Sequence, residues 1–373
     1  MTSILYIGMD VHTTNYTVSA YSIEYDESFC TTVMEPNIKY SEKYLERLNK
    51  QLGGECKFVC GYEAGYLGYS LYRQLTERGI ECKILAPTTM PMAPNGKKND
   101  RRDSRAIAKC MTYGTCSYVH VPTEEDDSVK EYIRMRDSVK DALKRLKQEI
   151  TAFCVRHNKH YGEKSSWTLT HLRWLRNLTF SNALLSETLE EMLAMYETYS
   201  EKIKSLDTRI TELSEGEAYK EKVGKLGCLK GISTHTALAL IAEISDFNRF
   251  PTAERFAAYL GLVPGEHSSG DKIRHTHITK AGNIHLRTLL TEAANSYSKG
   301  KLGQKSKSLR ARQKGNSAEV IRYADKASDR LRRKYCRMIS RNVKSNVAKT
   351  AIARELACFV WGLMTDHISA QGA

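Results

Sequence analysis

The sequence predicts an α/β region with a mixed five-stranded sheet, followed by a longer, mainly helical region. Three features carry that reading. Strand-like runs alternate with helical runs over roughly the first 120 residues. Apolar residues then recur at three- and four-residue steps through two long segments. Beyond these, positive charge collects toward the C-terminus.

The elements follow in order. Residues 3–9 (SILYIGM) form an apolar, strand-like run ending at Asp10. Residues 14–23, rich in Thr, Tyr and Val, read as a second strand and residues 28–34 as a third. Residues 40–52 place Tyr44, Leu45, Leu48 and Leu52 on one helical face. Residues 57–62 (KFVCGY) are a fourth strand ending at Glu63, and residues 66–78 a helix stopped by Gly79. Residues 81–85 are a fifth strand, closed by Pro87. A further helix opens within NDRRDSRAIA, residues 99–108. A meander followed by right-handed crossovers makes the first strand central and lets the fourth lie beside it.

That topology bears on chemistry. Asp10 and Glu63 each end a strand at the same sheet edge, so they are candidate neighbours. Asp100 and Asp103, three apart, share a helix face that can close over them. Four carboxylates at one point repel unless a cation neutralises them, and oxygen ligands that leave room for water and phosphate suit two Mg²⁺ ions. Arg101, Arg102 and Arg105 stand beside the acids as phosphate contacts. The competing reading of the helix start is local: Asp100 as N-cap and Asp103 as the acid of a capping box.

Residues 127–158 predict a long helix, residues 165–182 a connecting one. From Leu185 to Leu213 apolar residues keep a heptad seam. The two long helices form either an antiparallel hairpin or a dimerising coiled coil. Residues 226–245 read as two helices turning at Gly231, similar to a helix-hairpin-helix whose backbone N–H groups, with Lys230, contact DNA phosphates; plain helix packing is the alternative. A short helix over 253–260 precedes GLVPGEHSSGDKIRHTHITKAGN. Here Ser268, Ser269 and Gly270 form a polar turn flanked by Lys272 and Arg274. It is either an ordinary turn or a hydroxyl nucleophile beside cations. Thr279, Lys280, Gly282 and Asn283 form a second turn before a helix over 284–297 that carries Arg287.

Formal net charge is +14 over 373 residues, enough chain for two or three domains. Residues 301–355 hold 17 Lys or Arg against 4 Asp or Glu, a net of +13. Arg330, Arg332, Arg333 and Lys334 stand in this block. Such a block suggests a polyanion partner, a solvated helix face being the alternative. It still has an apolar face, so a folded basic helical unit is expected, closed by an apolar helix over 351–364. The ten Cys include no C-x-x-C and read as reduced thiols. With no signal peptide or membrane-length apolar run, a soluble, cytoplasmic protein without a membrane partner is expected.

Several motifs together carry a family resemblance: IGMDVH, GYEAG, KNDRRDSRAIA, GLVPGEHSSG, ITKAGNIHLRTLL and ARELACFVWGLM. With these the chain resembles the DEDD transposases of the insertion-sequence one-ten family over nearly its whole length. The resemblance implies a RuvC-like, RNase H-like domain over 1–120 and a helical coiled-coil region over 121–220. It further implies a transposase domain over 221–300, with the basic helical unit over 301–373. It implies that Asp10, Glu63, Asp100 and Asp103 are the metal-site acids. Ser269 is the implied nucleophile, forming a covalent link to DNA, with Ser268 as its rival. The implied partners are element and target DNA, a noncoding guide RNA and further copies of the chain, as dimer or tetramer. Thr276 and His277 stand where the family commonly has a Gly pair. A RuvC-like nuclease that hydrolyses DNA with water, and an idle nucleic-acid scaffold, are the other functions the sequence allows. His12, His267 and His277 read as structural or phosphate-facing.

Overall fold

A computed structural model describes residues 3–24, 26–53, 56–90, 99–163, 165–266 and 275–368. The chain packs as two compact units that divide between Val121 and Pro122.

The first unit holds β1 (Ser3–Val11), β2 (Tyr16–Ser22), β3 (Glu27–Met34), α1 (Ile38–Gln51), β4 (Cys56–Glu63), α2 (Ser70–Glu77), β5 (Glu81–Leu85) and α3 (Asp100–Tyr113). The sheet is mixed and five-stranded, in the order β3-β2-β1-β4-β5. Central β1 pairs antiparallel with β2 and parallel with β4, as the meander-and-crossover order requires.

Strand alternation sends successive residues to opposite faces. Leu5, Ile7 and Met9 share one core with Leu45 and Leu48 of α1 and Leu71 and Leu75 of α2. The other face receives α3 closely, because β1 and β4 carry glycine there. A Cβ on Gly8 would meet the Ser104 carbonyl at 1.9 Å, and one on Gly61 would meet Met111 Sδ at 2.2 Å. The approach is fixed by a buried Ser19–Ser104 hydroxyl pair at 2.8 Å.

Helix α2 begins at Ser70 rather than at residue 66. Residues 66–69 are turns, with Gly68 at φ +57, so the helical pattern overran its start.

The second unit holds α4 (Glu124–Arg156), α5 (Leu169–Arg176), α6 (Ala183–Ser214), α7 (Lys220–Gly227), α8 (Thr234–Ile244), α9 (Ala253–Tyr259), β6 (Pro264–Glu266), β7 (His275–Ile278), α10 (Ile284–Ala294), α11 (Lys307–Gln313), α12 (Ala318–Ser340) and α13 (Ser345–Met364). The long helices α4 and α6 pack antiparallel within the chain. Val129 and Ile133 of α4 share a core with Ile210 at the end of α6, while Ile150 and Phe153 meet Leu189 and Leu193 at its beginning. The heptad seam therefore finds a partner inside this chain.

Helix α4 starts three residues before its expected position, because Thr123 caps it by accepting from the Asp126 N–H at 3.1 Å. Helix α8 is buried through most of its length, among α4, α6, α7 and α10. The basic block folds as α11–α13. Val320, Ala324, Ala327 and Leu331 of α12 and Ile352, Leu356 and Val360 of α13 enter the same core. Helix α13 begins at Ser345, about one and two-thirds turns before the apolar run over 351–364 that signalled it. The antiparallel β6–β7 pair was not expected, since strands of three and four residues leave little periodic signal.

Candidate metal centre and nucleic-acid contacts

Asp10 lies two residues after Gly8 on β1, and Glu63 two after Gly61 on β4. Both acids therefore face the side that receives α3. The last paired residues of the two strands are Met9 and Tyr62, so Asp10 and Glu63 are the next step on each strand. Helix α3 runs back along β1, with Ser104 and Ala108 over Gly8, which brings its first residue toward Asp10.

The cap of α3 settles one local question. Asn99 is the N-cap, its Oδ1 accepting from the Arg101 N–H at 2.9 Å. Asp100 does not serve as the cap, which frees its carboxylate for another role. Asp100, Asp10 and His12 present ligand atoms within 4.8 Å of one another. His12 Nε2 stands 3.5 Å from Asp10 Oδ1. Two carboxylates and an imidazole are a donor set for a divalent ion. Glu63, exposed at the end of β4, and Asp103, half-buried in the first turn of α3, are not members of this 4.8 Å group. His12 is the residue that sequence reasoning undervalued. The signal was its place two residues beyond Asp10 in MDVH, the strand repeat that returns a side chain to the same face.

The expected phosphate contacts are placed unequally. Arg101, Arg102 and Arg105 are exposed, Arg105 donating from Nε to Thr31 Oγ1 at 3.2 Å. Lys280 is exposed at φ +55 in its turn. Arg287 binds the carbonyls of Leu260 and Ala281 at 2.9 and 3.2 Å, holding the turn before α10. Lys230 donates to the Lys299 carbonyl at 3.2 Å, and Arg332 to that of Tyr297 at 2.9 Å. Arg330 and Lys334 both pair with Glu355, whereas Arg333 is exposed. Ser268, Ser269, Lys272 and Arg274, with His267, lie outside the described residues. At the helix-hairpin-helix-like turn, Gly231 has φ +89 and its Cα faces Ala293 and Ser296 so closely that a Cβ would meet the Ala293 carbonyl at 2.4 Å. Packing against α10 is thus one reason for that glycine.

A second titratable cluster joins four helices of the second unit. Asp137 of α4 lies 2.8 Å from His285 Nε2 and accepts from Arg136 Nη1 of its own helix. His235 Nε2 is 3.0 Å from Asp137 Oδ1, but off the direction of a well-formed hydrogen bond. His285 Nδ1 lies 3.2 Å from Glu243 of α8, which also accepts two bonds from Arg134 and one from Asn283 Nδ2. Arg136 reaches Asp207 of α6 with two further bonds.

Comparison with known proteins places both units. Residues 7–157 match a family model of DEDD transposases, described as "Transposase", and residues 225–317 match one described as "Transposase IS116/IS110/IS902 family". The putative transposase y4qE of Sinorhizobium fredii is 34% identical over 332 residues, 88% of this chain and 81% of that one. The chain belongs to the IS110 transposase family. The transposase for insertion sequence element IS1533 of Leptospira borgpetersenii is also 34% identical, covering 89% of this chain and 95% of its own. A probable family 20 transposase of Pseudomonas aeruginosa is 26% identical over 79% of this chain and 80% of its own. As a transposase this chain is an enzyme that acts on DNA, cutting and rejoining it. The DEDD class implies use of a divalent metal, and the Asp10–His12–Asp100 group has donors of the right kind. Among the described residues no helix is long and apolar enough to cross a membrane.

Proposed function

We propose that this transposase excises and inserts its own element by strand exchange at a Mg²⁺-dependent acid site, with Ser269 as the attacking group. The observation that carries the reading is the meeting of Asp10, His12 and Asp100 at the sheet edge, with Glu63 one step beyond Tyr62, the last β4 residue paired with β1. Asp10, Glu63, Asp100 and Asp103 form the proposed ligand set, holding one or two ions, and His12 joins or orients it. A divalent ion held there supplies charge neutralisation at the phosphate. The first unit is proposed as RNase H-like, of the RuvC type, and the α4–α6 pair as the coiled-coil region. The proposed domain limits are 1–120, 121–220, 221–300 and 301–373.

In the proposed reaction the Ser269 hydroxyl loses its proton and its oxygen attacks a backbone phosphorus. A P–O bond to the sugar breaks, and the departing oxygen takes a proton. The phosphoserine link keeps the phosphodiester's energy, so rejoining is the same exchange in reverse and needs no ATP. Family resemblance supports a noncoding guide RNA pairing with donor and target DNA, a homo-oligomer, and action at the nucleoid in the cytoplasm. The transposase names of the relatives favour this reading over a hydrolytic nuclease.

The test is a denaturing gel of full-length protein with Mg²⁺, joined element ends, target DNA and RNA transcribed from the element's flanks. Wild type is compared with Ser269→Ala and Ser268→Ala. A protein–DNA adduct lost only in Ser269→Ala is expected. Cleavage without an adduct in all three would return the hydrolytic nuclease.

A further inference from the structure

The loop over residues 301–305 and one side of α12 enclose a cavity of about 190 Å³ in the second unit. Its walls carry four cations, Lys230, Lys301, Lys305 and Arg332, against two carboxylates, Asp325 and Asp329. Asp325 is paired with a cation, whereas Asp329 is held by a main-chain donor and keeps its charge, so the walls still carry a net positive charge. Asp325 accepts from Lys305 Nζ at 2.6 Å and from Gln313 Nε2 at 3.1 Å. Asp329 accepts the Gly303 N–H at 3.1 Å.

Lys230 and Arg332 are held differently. Each donates to a main-chain carbonyl, which orients a cation without neutralising it. Burial first, and then the field of Arg332, lowers the Lys230 pKa. Two cations brought together in a half-buried cavity form a site for an anion.

A neutral donor stands in the same wall. The Ser328 hydroxyl is buried beside the hydroxyl of Tyr297, and neither makes a well-formed hydrogen bond. A buried hydroxyl in that state needs a partner, and a ligand oxygen would provide one. The cavity is smaller than the ~300 Å³ at which small-molecule pockets begin. At ~30 Å³ per water it has room for one tetrahedral oxyanion and a few waters. Gly303, at φ +68, tightens the loop that bears Lys301 and Lys305.

We propose that this cavity binds a single phosphate of the DNA backbone, with Lys230 and Arg332 as its countercharges and Ser328 as a neutral donor. The proposal deepens the reading of the chain as a DNA-binding transposase and rests on it. It adds a defined docking point in the second unit, set by α12 and the turn after α7. A bound phosphate here fixes the register of the DNA without reading its sequence.

The test uses full-length protein and two probes. The first is inorganic phosphate at constant ionic strength, read by ³¹P line broadening. The second is duplex DNA, read as the slope of log affinity against log salt. Wild type is compared with Lys230→Gln and Ser328→Ala; the serine variant removes no charge and no backbone contact. The expected result is broadening in wild type that falls at least fivefold in both variants. The salt slope should drop by about one in Lys230→Gln. Equal broadening in all three proteins overturns the proposal. Broadening lost in Lys230→Gln with an unchanged salt slope also overturns it, by assigning the cavity to free phosphate. Wild type that binds phosphate but no DNA would instead remove the DNA reading, because the phosphate arm needs no DNA.

Discussion

Asp137 Oδ2 and His285 Nε2 meet at 2.8 Å and tie the middle of α4 to the first turn of α10. Two residues before His285, Asn283 caps α10 and donates to Glu243, so the turn entering this helix is fixed at two points. Burial alone would lower the His285 pKa, but Asp137 and Glu243 outweigh it and push it up to about 9. Burial would raise that of Glu243, yet His285 and Arg134 hold it at about 2. His235, His285 and Arg136 hold Asp137 well below the usual carboxylate range against its burial.

The sign of the pH dependence follows. His285 has a raised folded pKa, so its contribution is complete below about 6.5 and is lost as pH rises through about 9. Glu243 has a lowered one, so its contribution is complete above about 4.5 and is lost as pH falls through about 2. Stability from this cluster should therefore be greatest between about pH 4.5 and 6.5. Thermal unfolding of wild type and His285→Gln across pH 3–10 checks it. The alkaline decline between about 6.5 and 9 should flatten in the variant. Parallel curves would show that His285 carries no net charge coupling.

At pH 6 the same substitution leaves Asp137 and Glu243 short of a cation. Removing one member of a buried ionic set costs about 3 kcal/mol. Since His285 is 22% exposed, the lower end of that range is expected, read from urea midpoints.

Helix α3 depends on two glycines of unequal strictness. A Cβ on Gly8 meets main-chain carbonyl and amide atoms of α3, which cannot yield without moving the helix. A Cβ on Gly61 meets the flexible Met111 thioether. Gly8→Ala should cost about 3 kcal/mol or more and Gly61→Ala about 1 kcal/mol. The former should also cut strand cleavage more than its stability loss explains, because it displaces Asp100. Equal effects of the two substitutions would refute this account of how the helix is seated.

The sheet was legible because its strands are apolar runs bounded by turns, and its order followed from three strands preceding the first crossover. The strand-end places of Asp10, one residue before the end of β1, and of Glu63, the last residue of β4, were legible for the same reason. His12 was legible only weakly, since its one signal is the two-residue step from Asp10 and a lone histidine just past a strand more often belongs to the turn. The intrachain pairing of α4 with α6 was half legible: the heptad specifies a partner face but not whose. The Asp137–His285–Glu243 cluster was hidden entirely. Its members come from three separated helices, and no local pattern marks a polar residue that another helix will satisfy.

If His12 belongs to the metal centre, its loss should act on metal demand. His12→Ala is expected to raise the divalent-ion concentration for half-maximal cleavage by roughly tenfold, as loss of an orienting group commonly does. DNA affinity should stay unchanged, and excess metal should restore much of the rate. Asp10→Asn and Asp100→Asn should abolish cleavage without rescue. A His12→Ala enzyme with a normal metal requirement would make that imidazole a bystander beside a turn that the His12 main-chain N–H closes on the Asn15 carbonyl.

The basic residues of α12 should not contribute equally to DNA binding. Glu355 of α13 already lies against Arg330 and Lys334, and both cations hold its carboxyl below the usual range against its burial. A neutralised arginine releases few counterions when DNA arrives. Arg333, exposed on the same helix, keeps its full charge for a phosphate. Arg333→Gln should therefore lower the salt slope of DNA affinity by about one, and Arg330→Gln by much less. Glu355→Gln should raise affinity at low salt and steepen the slope by freeing two cations. Equal slopes for the two arginine variants would show that DNA displaces Glu355 and recruits the whole cluster.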